Sequence, residues 1–262
     1  MAPFQMSQTF LPVAVHPLRW LDEMRETELS GVPALANEIA KRLRALRRKN
    51  TAEVRGVRRE FSRRLVKAPA HVAIELAQLL MEESGSEFRL VAYELLHHHP
   101  SALSKLRVWE LKDLARNLDS WWTVDMFAIY LSGPVWRERG VTDSLIRGWA
   151  RSDHRWWRRA ALVSTVPLNS RARGGRGDTR RTLEICLLLQ RDRDPMVAKA
   201  MSWALRELAR RDPKAVRKFI AERHAILAPL VVREVRNKLT TGLKNPRARQ
   251  RATPRNATRR NP

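Results

Sequence analysis

From Pro33 onward, apolar side chains recur every three to four positions between short breaks, close to the 3.6-residue period of an amphipathic helix. Strict apolar–polar alternation, which would mark strands, is nearly absent. The pattern predicts helices at about 33–49, 51–66, 70–83, 86–98, 103–117, 120–132, 142–151, 153–166, 178–191, 195–211, 213–222 and 227–241. Punctuation agrees with these spans. Pro33, Pro69, Pro195 and Pro213 fall at starts, Gly85 and Gly133 at stops, and Asp153, Asp194 and Asp212 stand where they cap the helices that follow. The fold class is therefore all-α.

Three segments resemble one another: Ser86–Leu96, Asp153–Val163 and Asp194–Leu208. Each has an acid or hydroxyl near its start, a basic residue near its second turn, then a face of small and apolar residues. Aligning Ala160 with Ala200 gives a spacing of 40, inside the range of about 40–47 residues for two-helix HEAT-type repeats. Ala92 precedes Ala160 by 68, so an irregular unit intervenes. The expected architecture is an α-solenoid of degenerate HEAT-like helix pairs over 33–242 with a concave basic face, a shape that can track an extended polymer. Residues 1–32, weakly periodic and Pro-containing, read as an arm with one helix near 18–29. Residues 243–262 read as a disordered basic tail.

Charge narrows the partners. Against 27 Asp+Glu stand 51 Lys+Arg, a formal net charge of +24. Of these 51, Arg accounts for 41, and guanidinium forks suit bidentate phosphate contacts better than ammonium groups do. The tail from Leu243 carries seven cations and no acid, which leaves +17 on residues 1–242. Nucleic acid is the leading partner class. The single cysteine, Cys186, excludes an intrachain disulfide and any Cys-rich zinc site, and it reads as an inert core thiol in an apolar run. No apolar stretch approaches the ~20 residues of a membrane-spanning helix. Without a basic segment before its N-terminal apolar patch, the chain lacks a secretory signal pattern, so a cytoplasmic location, nucleoid-associated through DNA, is expected.

Nine tryptophans, against two Tyr and six Phe, concentrate the aromatic content in indole. In Leu118–Phe127, with Asp119 or Ser120 as N-cap, Trp121 and Asp125 are four apart and share a helix face. A carboxylate beside an indole opposes polyanion binding unless it acts at a reacting centre. The alternative is that Trp121 or Trp122 packs in the core while Asp125 pairs with a neighbouring Arg. In Asp153–Ala160, Trp156 and Trp157 precede Arg158 and Arg159, a grouping suited to gripping a backbone by stacking and cation–π contact. Trp203 and Arg206 are three apart on one face. Taken singly, each also fits a solvated or core pair. The segment Arg171–Gly177 is basic and Gly-rich, either a phosphate-holding loop or simply an exposed one.

At Ser120–Asp125, Asp153–Leu162 and Lys199–Leu208 the chain resembles the AlkD-like DNA alkylation repair family, monofunctional DNA glycosylases built from HEAT-like repeats. The resemblance runs over roughly 35–240. It implies that Asp125 is the catalytic carboxylate, that Trp121 and Trp203 flank the deoxyribose of the lesion nucleotide, and that Arg159 and Arg206 hold the backbone. Arg158, Trp122 and Trp157 complete the expected DNA-contact set. The family commonly places an acid between its Trp-Trp pair and the following x-Val-Asp, whereas here Trp122 leads directly into Thr123–Val124–Asp125. A gapped alignment puts Trp122, not Trp121, at the functional indole; Trp121 keeps the i, i+4 face with Asp125.

The implied activity is hydrolysis of the N-glycosidic bond of N3- or N7-alkylated purines in duplex DNA by a monomeric enzyme without cofactor or metal. The competing class is a non-catalytic helical-repeat protein that binds distorted or branched DNA; a scaffold for RNA or an acidic protein explains the charge but not the Trp–Asp face. The run His97–His98–His99 invites a metal reading, yet successive helical residues point apart and no matching ligand set stands nearby. No Gly-rich phosphate loop of the nucleotide-binding kind is present.

Overall fold

A computed structural model describes residues 31–246. The expected arm over 1–32 and tail over 243–262 lie outside that range except for residues 31–32 and 243–246. Among the described residues every regular element is helical. In chain order they are α1 (Val32–Arg44), α2 (Thr51–Leu65), α3 (Ala70–Leu80), α4 (Ser86–His98), α5 (Ala102–Lys105), α6 (Val108–Leu114), α7 (Trp121–Phe127), α8 (Gly133–Arg137) and α9 (Asp143–Ala150). Then follow α10 (Arg155–Val163), α11 (Val166–Asn169), α12 (Thr179–Leu188), α13 (Pro195–Leu208), α14 (Pro213–Arg223) and α15 (Pro229–Thr241).

The helices pair and stack in two layers, an α-solenoid-like arrangement. One layer passes contacts from α2 to α4, α7, α10, α13 and α15; the other contains α1, α3, α6, α9, α12 and α14, of which α6 packs on α3 and each of the others on a sequence neighbour. Small residues let the first layer close up. Ala92, Ala160 and Ala200, the positions that carry the repeat, are all fully buried. Removal of apolar surface from water, theirs and that of the rest of the core, is the main driving force, at roughly 25 cal/mol per Å².

Local chemistry sets the starts. Asp194 accepts hydrogen bonds from the Met196 and Val197 amides, and Asp212 from Ala215 N at 2.9 Å, so both cap as their sequence position requires. Asp153 does not cap α10: His154 occupies that position, and the Asp153 carbonyl instead accepts Arg158 Nη1 at 2.7 Å. The single helix expected over 103–117 is broken in two, because Leu106 and Arg107 are extended and Glu110 reaches back to the Arg107 amide at 2.6 Å.

Gly133 does not stop the helix that begins at Trp121. The chain widens into a π-helical segment at Ala128–Ser132 and continues through Gly133 to Arg137. The glycine is there for space. A Cβ at Gly133 would lie 2.7 Å from Ala128 O, 2.7 Å from Pro167 Cγ and 2.8 Å from Ser164 O, so the missing side chain admits the α10–α11 junction. The break expected from Pro167 is correspondingly shorter, since Pro167 sits inside α11.

Candidate nucleic-acid interface and active site

The N-terminus of α7 is fixed by a reciprocal capping arrangement: Ser120 Oγ accepts from Thr123 N at 3.3 Å, and Thr123 Oγ1 accepts from Ser120 N at 3.2 Å. That fixes the register of the next turn. Trp121 stands 54% exposed, while Trp122 packs against the core, their rings edge-on at 6.1 Å. Asp125, one turn on, is half-buried.

Asp125 faces Arg159 of α10 in a two-pronged ion pair: Arg159 Nε donates to Oδ1 and Nη2 to Oδ2, each at 2.8 Å. Arg159 is itself buried and sends Nη1 to the Met196 carbonyl of α13 at 2.5 Å. One guanidinium therefore ties three successive helices of the layer together and holds both carboxylate oxygens. Burial pushes the Asp125 carboxyl above its ordinary value, and the hydrogen bond and charge of Arg159 pull it partly back.

The three arginines of the expected contact set are held differently. Arg158 is occupied, with Nε on Asp192 Oδ2 at 2.7 Å and Nη1 on the Ser152 and Asp153 carbonyls. Arg159 uses three of its five N–H donors inside the protein. Arg206 on α13 turns only Nε inward, to Ser202 Oγ at 3.1 Å, and among the described residues its two terminal nitrogens make no hydrogen bond. It presents an open fork. Trp203 is half-buried one turn before it, and Trp157 lies in an aromatic stack, 4.9 Å from Trp149 and 6.3 Å from Phe127.

Sequence reasoning missed the support behind Arg206. Glu234 on α15 is 4% exposed, accepts from Ser202 Oγ at 2.6 Å, stands 3.9 Å from Arg206 Nε and meets Lys244 Nζ at 3.4 Å. Burial lowers the Arg206 pKa, and the Glu234 charge counters that shift. A signal was present: Val231, Glu234 and Val235 share one helix stripe, so an acid occupies a core-facing position. Lys199, exposed on α13, likewise shares the i, i+4, i+7 stripe of Trp203 and Arg206.

The three histidines diverge. His97 Nδ1 meets the Tyr130 carbonyl at 3.0 Å; His99 donates through Nε2 to Ala68 O at 3.0 Å, because its Nδ1 accepts the Ser101 and Ala102 amides. Among the described residues no group of three His, Cys, Asp or Glu side chains could hold a metal ion, and no helix is long and apolar enough to cross a membrane.

A family model described as DNA alkylation repair enzyme matches residues 31–239, from the start of α1 almost to the end of α15. The chain belongs to the DNA alkylation repair enzyme family. Its fold is similar to that of a solved structure titled a predicted DNA alkylation repair enzyme from Enterococcus faecalis, with a TM-score of 0.61 and 15% identity over 82% of this chain and 96% of that one. No curated protein matches the chain by sequence. Family membership supports a role in DNA repair, and the Asp125–Arg159 pair lies within the matched span.

Proposed function

We propose that this family member is a monofunctional DNA glycosylase that removes N3- or N7-alkylated purines from duplex DNA. The observation that carries the reading is Asp125: a desolvated carboxylate with both oxygens locked by Arg159, one turn from an exposed indole. An alkylated purine is already cationic, so its bond to C1′ breaks with the electron pair leaving on the base and no general acid is needed. Positive charge then develops on the sugar, where a preorganised carboxylate stabilises it more than water does. Water bonds to C1′ and loses its proton to solvent or Asp125. Trp121 and Trp203 supply π-faces to the sugar cation, and Arg206, with an open fork, holds a phosphate. Arg159 acts through Asp125, and Arg158, Trp122 and Trp157 shape the wall on which these groups stand.

The test is release of free 7-methylguanine and 3-methyladenine from methylated duplex DNA, wild type beside Asp125→Asn. Release that is lost in the variant while duplex binding persists supports the reading; equal release from both overturns it. No release by either protein, with tight duplex binding, would leave the non-catalytic DNA-binding reading in its place.

A further inference from the structure

Away from Asp125, a second polar cluster joins α2, α4, the π-helical segment and the basic loop after α11. Its centre is Tyr130. Arg55 Nη2 donates to the Tyr130 hydroxyl at 2.9 Å, and the Arg173 guanidinium lies over the Tyr130 ring, 6.0 Å from its centroid. Behind them sits Glu94, only 2% exposed, accepting Arg55 Nε at 2.7 Å on one oxygen and Arg58 Nε at 3.1 Å on the other.

Both arginines bind the buried acid through Nε; Arg55 passes Nη2 to the Tyr130 hydroxyl, so its Nη1 is left without a hydrogen bond among the described residues. Arg206 is backed in a related way in the same layer, its Nε reaching the buried Glu234 through Ser202 Oγ. Among the described residues the terminal nitrogens of Arg58 make no hydrogen bond, nor does any side-chain nitrogen of Arg173. Glu94 pairs with two guanidiniums while a third lies over the Tyr130 ring, an excess of positive charge that leaves room for a further anion. Burial, then the Arg58 charge, push the His98 pKa below its ordinary value, against the opposing pull of Glu94.

The loop that carries Arg173 is built to stay in place. Arg137 Nη1 binds the Arg173 carbonyl, Arg211 binds the Gly175 and Asn169 carbonyls, and Gly177 N donates to Leu168 O at 2.9 Å. Gly174 adopts φ +77°, which lets the loop turn back after Arg173. Held this way, Arg173 converges with Arg55 on one phenol instead of ranging through solvent.

We infer that Arg55, Arg58 and Arg173, organised by Glu94 and Tyr130, form a second phosphate-binding site. Its ligand is a phosphate group, either a backbone diester of the duplex that the proposed function requires or a free phosphate ion. The first source rests on that function; the second does not.

Salt dependence of binding to an undamaged duplex separates the sources. Each phosphate contact contributes about 0.9 to the slope of log K against log salt concentration. Arg55→Ala and Arg173→Ala are each expected to lower the slope by about 1, with unchanged base release per bound complex and an unchanged melting temperature for Arg173→Ala. Arg55→Ala leaves Glu94 paired with Arg58. Tyr130→Phe, which removes only the hydroxyl, gives a smaller fall. In parallel, inorganic phosphate is titrated into the free protein while the His97 and His98 ring signals are followed by NMR. A saturable shift in wild type that Arg55→Ala loses, with no change of slope, assigns the site to a free phosphate ion. Unchanged slopes and no saturable shift overturn the site. Should the wild type bind no duplex at low salt, the proposed function fails and the phosphate titration alone decides the site.

Discussion

Replacing Arg159 by alanine isolates the ion pair on which the candidate site is built. The substitution deletes two hydrogen bonds to Asp125 and one to the Met196 carbonyl, and leaves a carboxylate whose side chain is only 15% exposed without a counter-ion. Breaking one side of a buried pair costs about 3–5 kcal/mol, much of it from the stranded charge. In a domain of this size ~1 kcal/mol lowers Tm by about 2–4 °C, so a fall of roughly 6–20 °C is expected in calorimetry. The penalty must depend on pH in a definite sense. Asp125 already has a folded pKa above its unfolded value, so its protonation favours the folded state: that contribution is complete below about pH 3.9 and is lost as pH rises through the folded value. Without Arg159 the folded value rises further. The deficit of Arg159→Ala is therefore largest near neutral pH and shrinks as pH falls toward about 4. Adding Asp125→Asn removes the stranded charge and recovers about 1–3 kcal/mol relative to additivity. A loss below ~1 kcal/mol, a deficit independent of pH, or strictly additive single variants would refute the claim that this pair is buried and mutually dependent.

Other consequences are as direct. Gly133→Ala, a change that at an open helical position gains about 1 kcal/mol, is expected to cost about 1–3 kcal/mol in denaturant titrations, because its Cβ meets two backbone carbonyls and Pro167. Glu234→Ala removes the acceptor of Ser202 Oγ and the charge behind Arg206; chemical denaturation should show a loss of about 1.5–3 kcal/mol, and duplex retention at fixed salt should weaken with it. Cys186 is fully buried and its thiol is pushed far above the ordinary range, so a thiol reagent should modify it only at the rate of global unfolding; rapid modification of the native protein would contradict that burial.

Much of the fold was legible in the chain because helix formation is local. Periodicity placed the long helices, and Asp194, Asp212, Pro195 and Pro213 marked their starts, since a cap needs only the two or three residues after it. Where prediction and structure part, the cause lies at a distance. Gly133 reads as a stop, yet the approach of Ser164 and Pro167 makes it the one residue that fits within a continuing helix. Asp153 reads as a cap, yet Arg158 folds back onto its carbonyl and His154 takes the position.

The candidate site divides in the same way. The i, i+4 relation of Trp121 to Asp125 and the shared face of Lys199, Trp203 and Arg206 follow from helical geometry, which the sequence contains. That Asp125 meets Arg159, 34 positions away, and that Arg206 rests on Ser202 and Glu234 while Arg55 and Arg58 rest on Glu94, are facts of how one helix lies beside the next. Composition declared an arginine-rich, basic protein. Tertiary structure decided which guanidiniums are consumed inside it and which keep open forks, because only packing brings a particular carboxylate within reach of a particular arginine.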